Sequence, residues 1–211
     1  MASKSRLAPT FDIENNFDGL IAGIDEAGRG PWAGPVVAAA VILNPDCTPA
    51  GLRDSKTLTE KRRRLLADSL WKTARIGVGI ATVEEIDHIN IAQATLLAMT
   101  RAAANLPSPP AVCLVDGNLK PKLPCPAYTV VKGDAKSFSI AAASVIAKTT
   151  RDRMMRELAR DYPQYAWENN KGYGVAAHRE ALEAFGVTPH HRRSFAPIHN
   201  MLCADSSSTL C

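Results

Sequence analysis

The chain has few cysteines, and none of them has the spacing of a structural site. Its 211 residues contain five, at least eight positions apart: Cys47, Cys113, Cys125, Cys203 and Cys211. No C-x-x-C pair occurs, and no cysteine lies at zinc-ligand spacing from a histidine. The pattern excludes a disulfide framework and a zinc module, and it predicts reduced thiols as in the cytoplasm.

Long apolar runs and low-complexity segments are also missing. The longest apolar run, 36–43, has eight residues, whereas a membrane-crossing helix needs about 20. The first residues contain no apolar segment of the kind that a secretory signal requires. Apolar residues make up 46% and charged residues 22% of the chain, which is typical of a folded domain. We therefore expect a soluble, cytoplasmic protein.

Short apolar runs alternate with helical periodicity along the chain. Strands are predicted at 20–24, 36–43, 75–83, 111–115 and 128–131, and helices at 61–71, 86–106, 139–160 and 175–185. Thr57 with Glu60, or Thr59 alone, can cap the first helix. Three early strands followed by strands alternating with helices predict an α/β fold, with a mixed β-sheet flanked by helices.

One domain of about 180 residues accounts for this order. We assign 1–18 to a loose N-terminal tail and 19–200 to a single domain, in which about 150–200 form a helical C-terminal extension. Residues 201–211 are expected to be a disordered tail, since their sequence is rich in serine. No linker or repeat divides the chain.

Carboxylates follow three of the predicted strands. They are Asp25 and Glu26 in GIDEAG, Asp116 in LVDGN and Asp134 in VVKGDAK. Acids held at strand ends point into the crevice where α/β proteins bind ligands. Converging carboxylates repel one another unless a cation lies between them, and Mg²⁺ or Mn²⁺ prefers oxygen ligands. The pattern therefore predicts a divalent metal site, with separate surface turns as the alternative for each acid.

Backbone geometry limits which of the acids can share one ion. Consecutive strand residues point to opposite faces, so Asp25 and Glu26 reach one ion only if the strand ends early or a backbone carbonyl contributes. We expect Asp25 to be the bridging ligand and Glu26 the weaker one. Asp152 is expected to be an exposed helix acid, since a straight helix would place it about 27 Å from Asp134.

A glycine-rich loop, 28–34, follows the first acids. A dinucleotide fingerprint would need a helix directly after it, but two prolines and a strand follow instead. The loop Gly28, Arg29 and Gly30 can bring backbone groups close to a ligand. Tyr173, between two glycines, can lie flat against a sugar or base. Phosphate contacts are expected from Lys56, Arg192, Arg193 and Ser194.

Basic residues are concentrated in the C-terminal part of the chain. The stretch 148–195 has nine Lys or Arg against six Asp or Glu, 9 − 6 = +3, of a total net charge of +4. Metal-holding acids beside basic and aromatic groups predict hydrolysis of phosphodiester bonds in nucleic acid. We expect the extension to bind nucleic acid.

Six motifs in one order resemble a known family. They are GIDEAGRGPWAGPVVAAAVIL, DSKTLTEKRR, LVDGN, VVKGDAKSFSIAAASVIAKTTRDRMM, KGYG followed by His, and HHRRSF, and they cover about 20–198. The chain closely resembles bacterial ribonuclease HII. The resemblance implies a ribonuclease H-like fold and cleavage of RNA in RNA–DNA hybrids, including a single ribonucleotide in duplex DNA.

The resemblance also implies roles for single residues. By motif, the catalytic and metal-binding acids are Asp25, Glu26, Asp116 and Asp134, the Gly28–Arg29–Gly30 backbone reads the ribose 2′-hydroxyl, and Tyr173 senses the RNA–DNA junction. Two divalent ions, Mg²⁺ or Mn²⁺, are implied with substrate, and the products are a 5′-phosphate and a 3′-hydroxyl. A monomer without membrane contact is expected. Alternatives are a general nuclease of the junction-resolvase type and a hybrid-binding module without catalysis.

Overall fold

The computed structural model of the protein describes residues 8–208, the last four of them by backbone alone. Five strands form one mixed sheet in the order β3-β2-β1-β4-β5. The first three pair antiparallel, and β4 and β5 extend the sheet in parallel from β1. The bounds are β1 Ile21–Ala27, β2 Val36–Ile42, β3 Arg75–Ala81, β4 Val112–Asp116 and β5 Ala127–Val130. The predicted mixed sheet is confirmed.

Helices cover both faces of this sheet. They are α1 Glu60–Thr73, α2 Val83–Ala104, α3 Phe138–Asp161, α4 Trp167–Asn170, α5 Ala176–Phe185 and α6 Ala196–Ser208. The cap of α1 is Thr59, whose side chain accepts a hydrogen bond from the amide of Arg62, which decides between the two predicted caps. Asn90 interrupts α2 with a positive φ of 66°.

The strand pleat separates two cores. Ala22 and Ile24 of β1 face α2, whereas Gly23 faces α3. A Cβ atom on Gly23 would lie 2.1 Å from the carbonyl carbon of Ser139, so only glycine allows α3 to lie this close to the sheet. This close approach brings the start of α3 against the strand that carries Asp25.

Much of the N-terminal segment is packed rather than loose. Residues 14–16 form a short 3-10 helix, and the buried Glu14 accepts hydrogen bonds from the Ser137 hydroxyl at 2.7 Å and the Ser139 amide at 2.9 Å. Thr10 forms a β-bridge to Ser137. The expectation of a loose tail over 1–18 is therefore wrong for 10–17, because this segment caps α3; residues 1–7 lie outside the described residues.

The C-terminal extension has a small core of its own. Tyr165, Trp167, Leu182 and Ile198 are buried together against Met155 of α3. Neither α4 nor α6 was predicted, and α6 continues through Ser208 where a disordered tail was expected. Ile198 ties the start of α6 to this core. Residues 209–211 lie outside the described part of the chain.

The cysteines and the apolar character of the helices complete the description of the fold. Cys47, Cys113 and Cys125 are free thiols, the Cys203 Sγ lies 3.6 Å from His199 Nε2, and Cys211 lies outside the described residues. Among the described residues, none of the helices is long and apolar enough to cross a bilayer.

Candidate active site and nucleic-acid interface

The predicted acids lie around the junction of β1 and β4. These strands are parallel neighbours in the centre of the sheet, so their carboxyl ends meet at one edge. Asp25 is in β1, and Asp116 is the last residue of β4. The Asp116 Oδ1 atom accepts a 2.6 Å hydrogen bond from the amide of Gly133, the residue before Asp134. This bond holds the 3-10 helix 133–135 against the end of β4.

Electrostatic interactions show that the four acids form one cluster. Burial, then the charges of Glu26 and Asp116, raise the pKa of Asp25 well above its usual value. Burial also raises the pKa of Glu26, with Arg29 opposing and Asp116 adding to the rise. For Asp134, burial and the charges of Asp54 and Asp116 raise the pKa. Asp116 is thus the common neighbour of the other three.

Arg29 and Lys56 are two cations beside this cluster, and Arg29 pairs with Glu26 at 3.4 Å. Lys56 faces the acids from another segment of the chain. It lies in the 3-10 helix 55–57, whose N-cap Asp54 accepts a hydrogen bond from the Lys56 amide. Burial lowers the pKa of the Lys56 ammonium, but the carboxylates of Asp25, Asp134, Asp54 and Asp116 together raise it above its usual value. Lys56 therefore stands beside the acids, where a phosphate drawn to the site would meet it. Sequence reasoning missed Asp54, which belongs to the same DSK motif.

The donor chemistry of the cluster fits a hard divalent cation. Its groups are carboxylate oxygens, and their mutual repulsion is the feature that a bound cation would relieve. In 8–204, where side chains are described, no three His, Cys, Asp or Glu side chains already converge with the geometry of a metal site. The acids lie near one another without surrounding a metal position, so binding a cation would require their side chains to close around it.

Asp25 and Glu26 occupy opposite faces of β1. The strand continues through Ala27, and both acids pair with β2, Asp25 with Ala39 and Glu26 with Ala38. Ala39 belongs to the core on the α3 side, and Ala38 to the core on the α2 side. Because β1 does not end before Glu26, the side chains of Asp25 and Glu26 lie on opposite faces and cannot both reach one ion from a regular strand. Asp25 is the buried member, and its Oδ1 accepts a hydrogen bond from the Glu26 amide.

The expected exposure of Asp152 is wrong. The residue is only 3% exposed, and its Oδ1 lies 2.6 Å from the Lys148 Nζ one helical turn earlier. An acid that sequence periodicity places on a helix surface is thus buried and ion-paired in the structure.

The glycine loop is held from behind by Arg192. The Arg192 guanidinium donates to the carbonyls of Gly28 at 2.6 Å, Arg29 at 3.0 Å and Gly34 at 2.9 Å. Its exposed fraction is 0%. The expected phosphate contact of Arg192 is therefore not supported, because its Nε, Nη1 and Nη2 all donate to loop carbonyls.

Arg193 and Ser194 are exposed, as a phosphate contact requires, but Ser194 already has a partner. Its hydroxyl donates to Asp87 Oδ1 at 2.6 Å, and the amides of Arg193 and Ser194 also donate to the Asp87 carboxylate. The Arg193 side chain remains available to substrate. Sequence reasoning missed Asp87, since it lies far from these residues in the chain.

Tyr173 lies beside the glycine loop. A Cβ atom on Gly30 would be 3.5 Å from the Tyr173 Cε1, and Tyr173 is 46% exposed. The Trp32 amide donates to the Gly172 carbonyl at 2.8 Å, which ties the two loops together. An exposed aromatic ring is thus held next to a loop with accessible backbone, as expected for a surface that contacts nucleic acid.

A buried histidine pair stands behind Tyr173. His178 Nδ1 lies 3.0 Å from the Tyr173 carbonyl, so it donates, and its Nε2 then accepts from Trp167 Nε1 at 3.2 Å. His191 Nδ1 accepts from the Thr188 amide at 3.0 Å, so its Nε2 donates to His178 Nε2 at 3.0 Å. Every ring nitrogen has a role only if both imidazoles are neutral.

This pair predicts a loss of stability in acid. Burial, then the charge of His178, lowers the pKa of His191 to about 3 from 6.5. Below pH 6.5 the His191 side chain therefore binds a proton in the unfolded state but not in the folded state. Stability is lost as the pH falls from 6.5 towards 3. From pH 7 to pH 5 the cost is about 2 kcal/mol at 1.36 kcal/mol per pKa unit. Urea unfolding of the wild type and of His191→Gln at both pH values measures the difference.

The exposed His88 provides the matched control. Between pH 7 and pH 5, His88→Gln should lose as much unfolding free energy as the wild type. The loss in His191→Gln should be smaller by about 2 kcal/mol. Equal slopes for His191→Gln and the wild type would show that His191 titrates normally.

The fold of the chain is similar to that of a known class of enzymes. The ribonuclease H2 of Pyrococcus horikoshii OT3 has a solved structure that matches with a TM-score of 0.76 at 27% identity, covering 87% of this chain and 97% of that one. Together with the mixed sheet and the acids at its edge, this match places the chain among ribonuclease H-like enzymes.

The family follows from the sequence matches. The model of the ribonuclease HII family matches residues 22–198. The ribonuclease HII of Jannaschia sp. (strain CCS1) is 56% identical over 198 residues, which cover 93% of this chain and all of that protein. That of Paracoccus denitrificans (strain Pd 1222) is 55% identical over 191 residues, or 90% of this chain and 91% of that one. The chain belongs to the ribonuclease HII family.

Proposed function

We propose that this ribonuclease cuts the RNA strand of RNA–DNA hybrids and also cuts at single ribonucleotides embedded in duplex DNA. The observation that carries the proposal is the position of Tyr173 beside Gly30, in a loop whose Arg29 pairs with Glu26 of the acid cluster at 3.4 Å. A loop that offers backbone groups to a 2′-hydroxyl can distinguish one ribonucleotide from its DNA neighbours, since that hydroxyl is their main difference. Its role would be ribonucleotide removal during DNA replication and repair.

The acid cluster would hold the metal. Asp25, Asp116 and Asp134 are the proposed ligands of divalent ions, Mg²⁺ or Mn²⁺, and Glu26 is the weaker one because it faces the other side of β1. When bound, two ions would supply a hydroxide for in-line attack and stabilise the leaving 3′-oxygen, which gives 5′-phosphate and 3′-hydroxyl ends.

The other residues would bind and orient the duplex. Lys56 would attract the phosphate towards the acids, and Arg193 would contact the backbone further along the duplex. The Gly28–Arg29–Gly30 loop would read the ribose, and Tyr173 would stack on the adjoining deoxyribose side of the junction. We propose that the protein acts as a monomer in the cytoplasm.

One assay separates this function from its alternatives. A DNA duplex with one ribonucleotide, an all-DNA duplex and a continuous RNA–DNA hybrid are incubated with the protein in Mg²⁺ and in Mn²⁺. Cleavage restricted to the two RNA-containing duplexes supports the proposal. Cleavage of all three indicates a general nuclease of the junction-resolvase type, and binding without cleavage indicates a hybrid-binding module.

Removal of the Tyr173 ring should weaken cleavage at a single ribonucleotide. Stacking of an aromatic ring contributes about 1–3 kcal/mol, so Tyr173→Ala should lower kcat/KM on that substrate by roughly 10- to 100-fold. Tyr173→Phe should retain most activity because the ring remains. Phe185→Ala removes another exposed ring and should have no effect. Unchanged activity of Tyr173→Ala would remove Tyr173 from the recognition surface.

A further inference from the structure

Two arginines are buried behind the proposed recognition surface without a carboxylate partner. Arg151 is 1% exposed and Arg192 is 0% exposed. Within the described residues, neither lies within salt-bridge distance of an Asp or Glu. Burying an unpaired guanidinium costs several kcal/mol, so a hydrophobic residue here would favour stability more. Their carbonyl partners indicate what the two charges do instead.

Arg151 joins the two loops that would read the substrate. Its Nη1 donates to the Lys171 carbonyl at 3.0 Å, in the segment that carries Tyr173. Its Nη2 and Nε donate to the carbonyls of Ala33 at 3.0 Å and Pro35 at 2.9 Å, in the loop that begins at Gly28. The guanidinium is planar and rigid, so these three bonds fix the distance between the two segments.

The position of Gly28 against Arg151 leaves no room for a side chain. Its φ is +99°, and a Cβ atom there would lie 2.0 Å from the Arg151 Nε. The loop backbone therefore lies directly on the guanidinium, while Arg192 holds the Gly28 and Arg29 carbonyls from its other side. Among the described hydrogen bonds, none uses the amides of Arg29 and Gly30, which stay available to a ligand.

The histidine pair completes the connection. The carbonyl of Tyr173 accepts from His178, His178 accepts from His191, and His191 is followed in the chain by Arg192. Tyr173 is thus tied to the glycine loop twice, through Arg151 and through the histidines. All four polar side chains are buried.

We propose that Arg151, Arg192 and His178 are positioning residues that set the spacing between the Gly28–Arg29–Gly30 loop and Tyr173, and thereby the preference for an RNA–DNA junction over continuous hybrid. This inference rests on the proposed function. A junction is read by two elements that contact adjacent nucleotides, so an error of about 1 Å in their spacing costs roughly 100-fold. A continuous hybrid presents ribose on both sides of the cut and depends less on that spacing.

The test compares kcat/KM on two substrates, a DNA duplex with one ribonucleotide and a continuous hybrid. Arg151→Lys keeps the charge but cannot make three forked bonds, and it should lower the ratio of the two values by about 10-fold or more. His178→Gln should act in the same direction. Arg153→Lys, on the exposed side of the same helix, is the control and should keep the wild-type ratio.

A double-mutant cycle separates positioning from general damage. If Arg151 acts through Tyr173, Arg151→Lys combined with Tyr173→Ala should show the ratio of Tyr173→Ala alone. If the double variant lowers the ratio by the product of the two single effects, the proposal is overturned. It is also overturned if Arg151→Lys and His178→Gln are both folded and both keep the wild-type ratio. Thermal melting shows which variants are folded at the assay temperature, and His178→Gln carries the test if Arg151→Lys does not fold. A wild-type protein that cuts neither substrate would instead reject the proposed function.

Discussion

Replacing Asp116 by Asn is expected to abolish cleavage in Mg²⁺ while leaving hybrid binding largely intact. Asp116 interacts with Asp25, Glu26 and Asp134, so loss of its charge weakens every proposed ligand arrangement at once. Metal ions contribute several kcal/mol to such reactions, and 4 kcal/mol corresponds to about a thousandfold loss in rate. Single-turnover cleavage measures the rate, and a gel-shift titration measures hybrid binding.

The fold of this variant should survive, because an asparagine Oδ1 can still accept the hydrogen bond of the Gly133 amide. Asp68→Asn, which changes an exposed acid on α1, is the charge-matched control and should cleave normally. Substantial activity of Asp116→Asn in Mg²⁺ would rule out the proposed metal site.

Replacing Asp25 by Asn is expected to abolish cleavage and also to stabilise the protein when divalent ions are removed by EDTA. Burial and the neighbouring charges of Glu26 and Asp116 raise the pKa of Asp25, so its ionised form opposes folding at neutral pH. The asparagine has no charge and keeps the acceptor for the Glu26 amide. Each kcal/mol gained should raise Tm by about 2–4 °C in a chain of this size.

The pH dependence tests the cause of this gain. A raised folded pKa means that the stability contribution of protonated Asp25 is fully present below the unfolded pKa of 3.8 and is lost as the pH rises through the folded value. The advantage of Asp25→Asn in EDTA should therefore be greatest near pH 7 and shrink towards pH 4. A lower Tm than the wild type at pH 7, with Asp68→Asn unchanged, would show that the carboxylate stabilises the fold even without metal.

The two variants together describe a site built at the expense of stability. Burial and the neighbouring charge of Asp116 raise the pKa of Asp25, Glu26 and Asp134, and the nearby Lys56 and Arg29 offset only part of that repulsion. Such clusters are typical of functional sites, because a fold under selection for stability alone would separate like charges.

Local patterns predicted most of the secondary structure. Apolar runs placed the five strands, and Thr59 and the periodicity after it placed α1, since these features depend on neighbours within a few residues. The short helix α4 and the terminal helix α6 were missed. Their stability depends on Trp167 and Ile198, which are buried in the core of the extension, and local propensity contains no information about that contact.

Charged side chains show where sequence reasoning reaches its limit. Arg192 and Asp152 have the sequence context of exposed residues, yet both are buried in the structure, Arg192 with loop carbonyls and Asp152 with the Lys148 ammonium as partners. In the sequence, Arg151 is one of nine basic residues in the stretch 148–195. Its role depends on the carbonyls of Ala33, Pro35 and Lys171, which only the packed structure brings within reach.

The sequence by itself determined that the chain carries a ribonuclease HII motif set on a mixed α/β sheet, because the order of the motifs and the alternation of strands and helices are local properties of the chain. Only the tertiary structure decided which charges meet substrate and which hold the loops. Burial and hydrogen bonding between residues more than a hundred positions apart determine whether an arginine binds phosphate or backbone, and no local pattern encodes them.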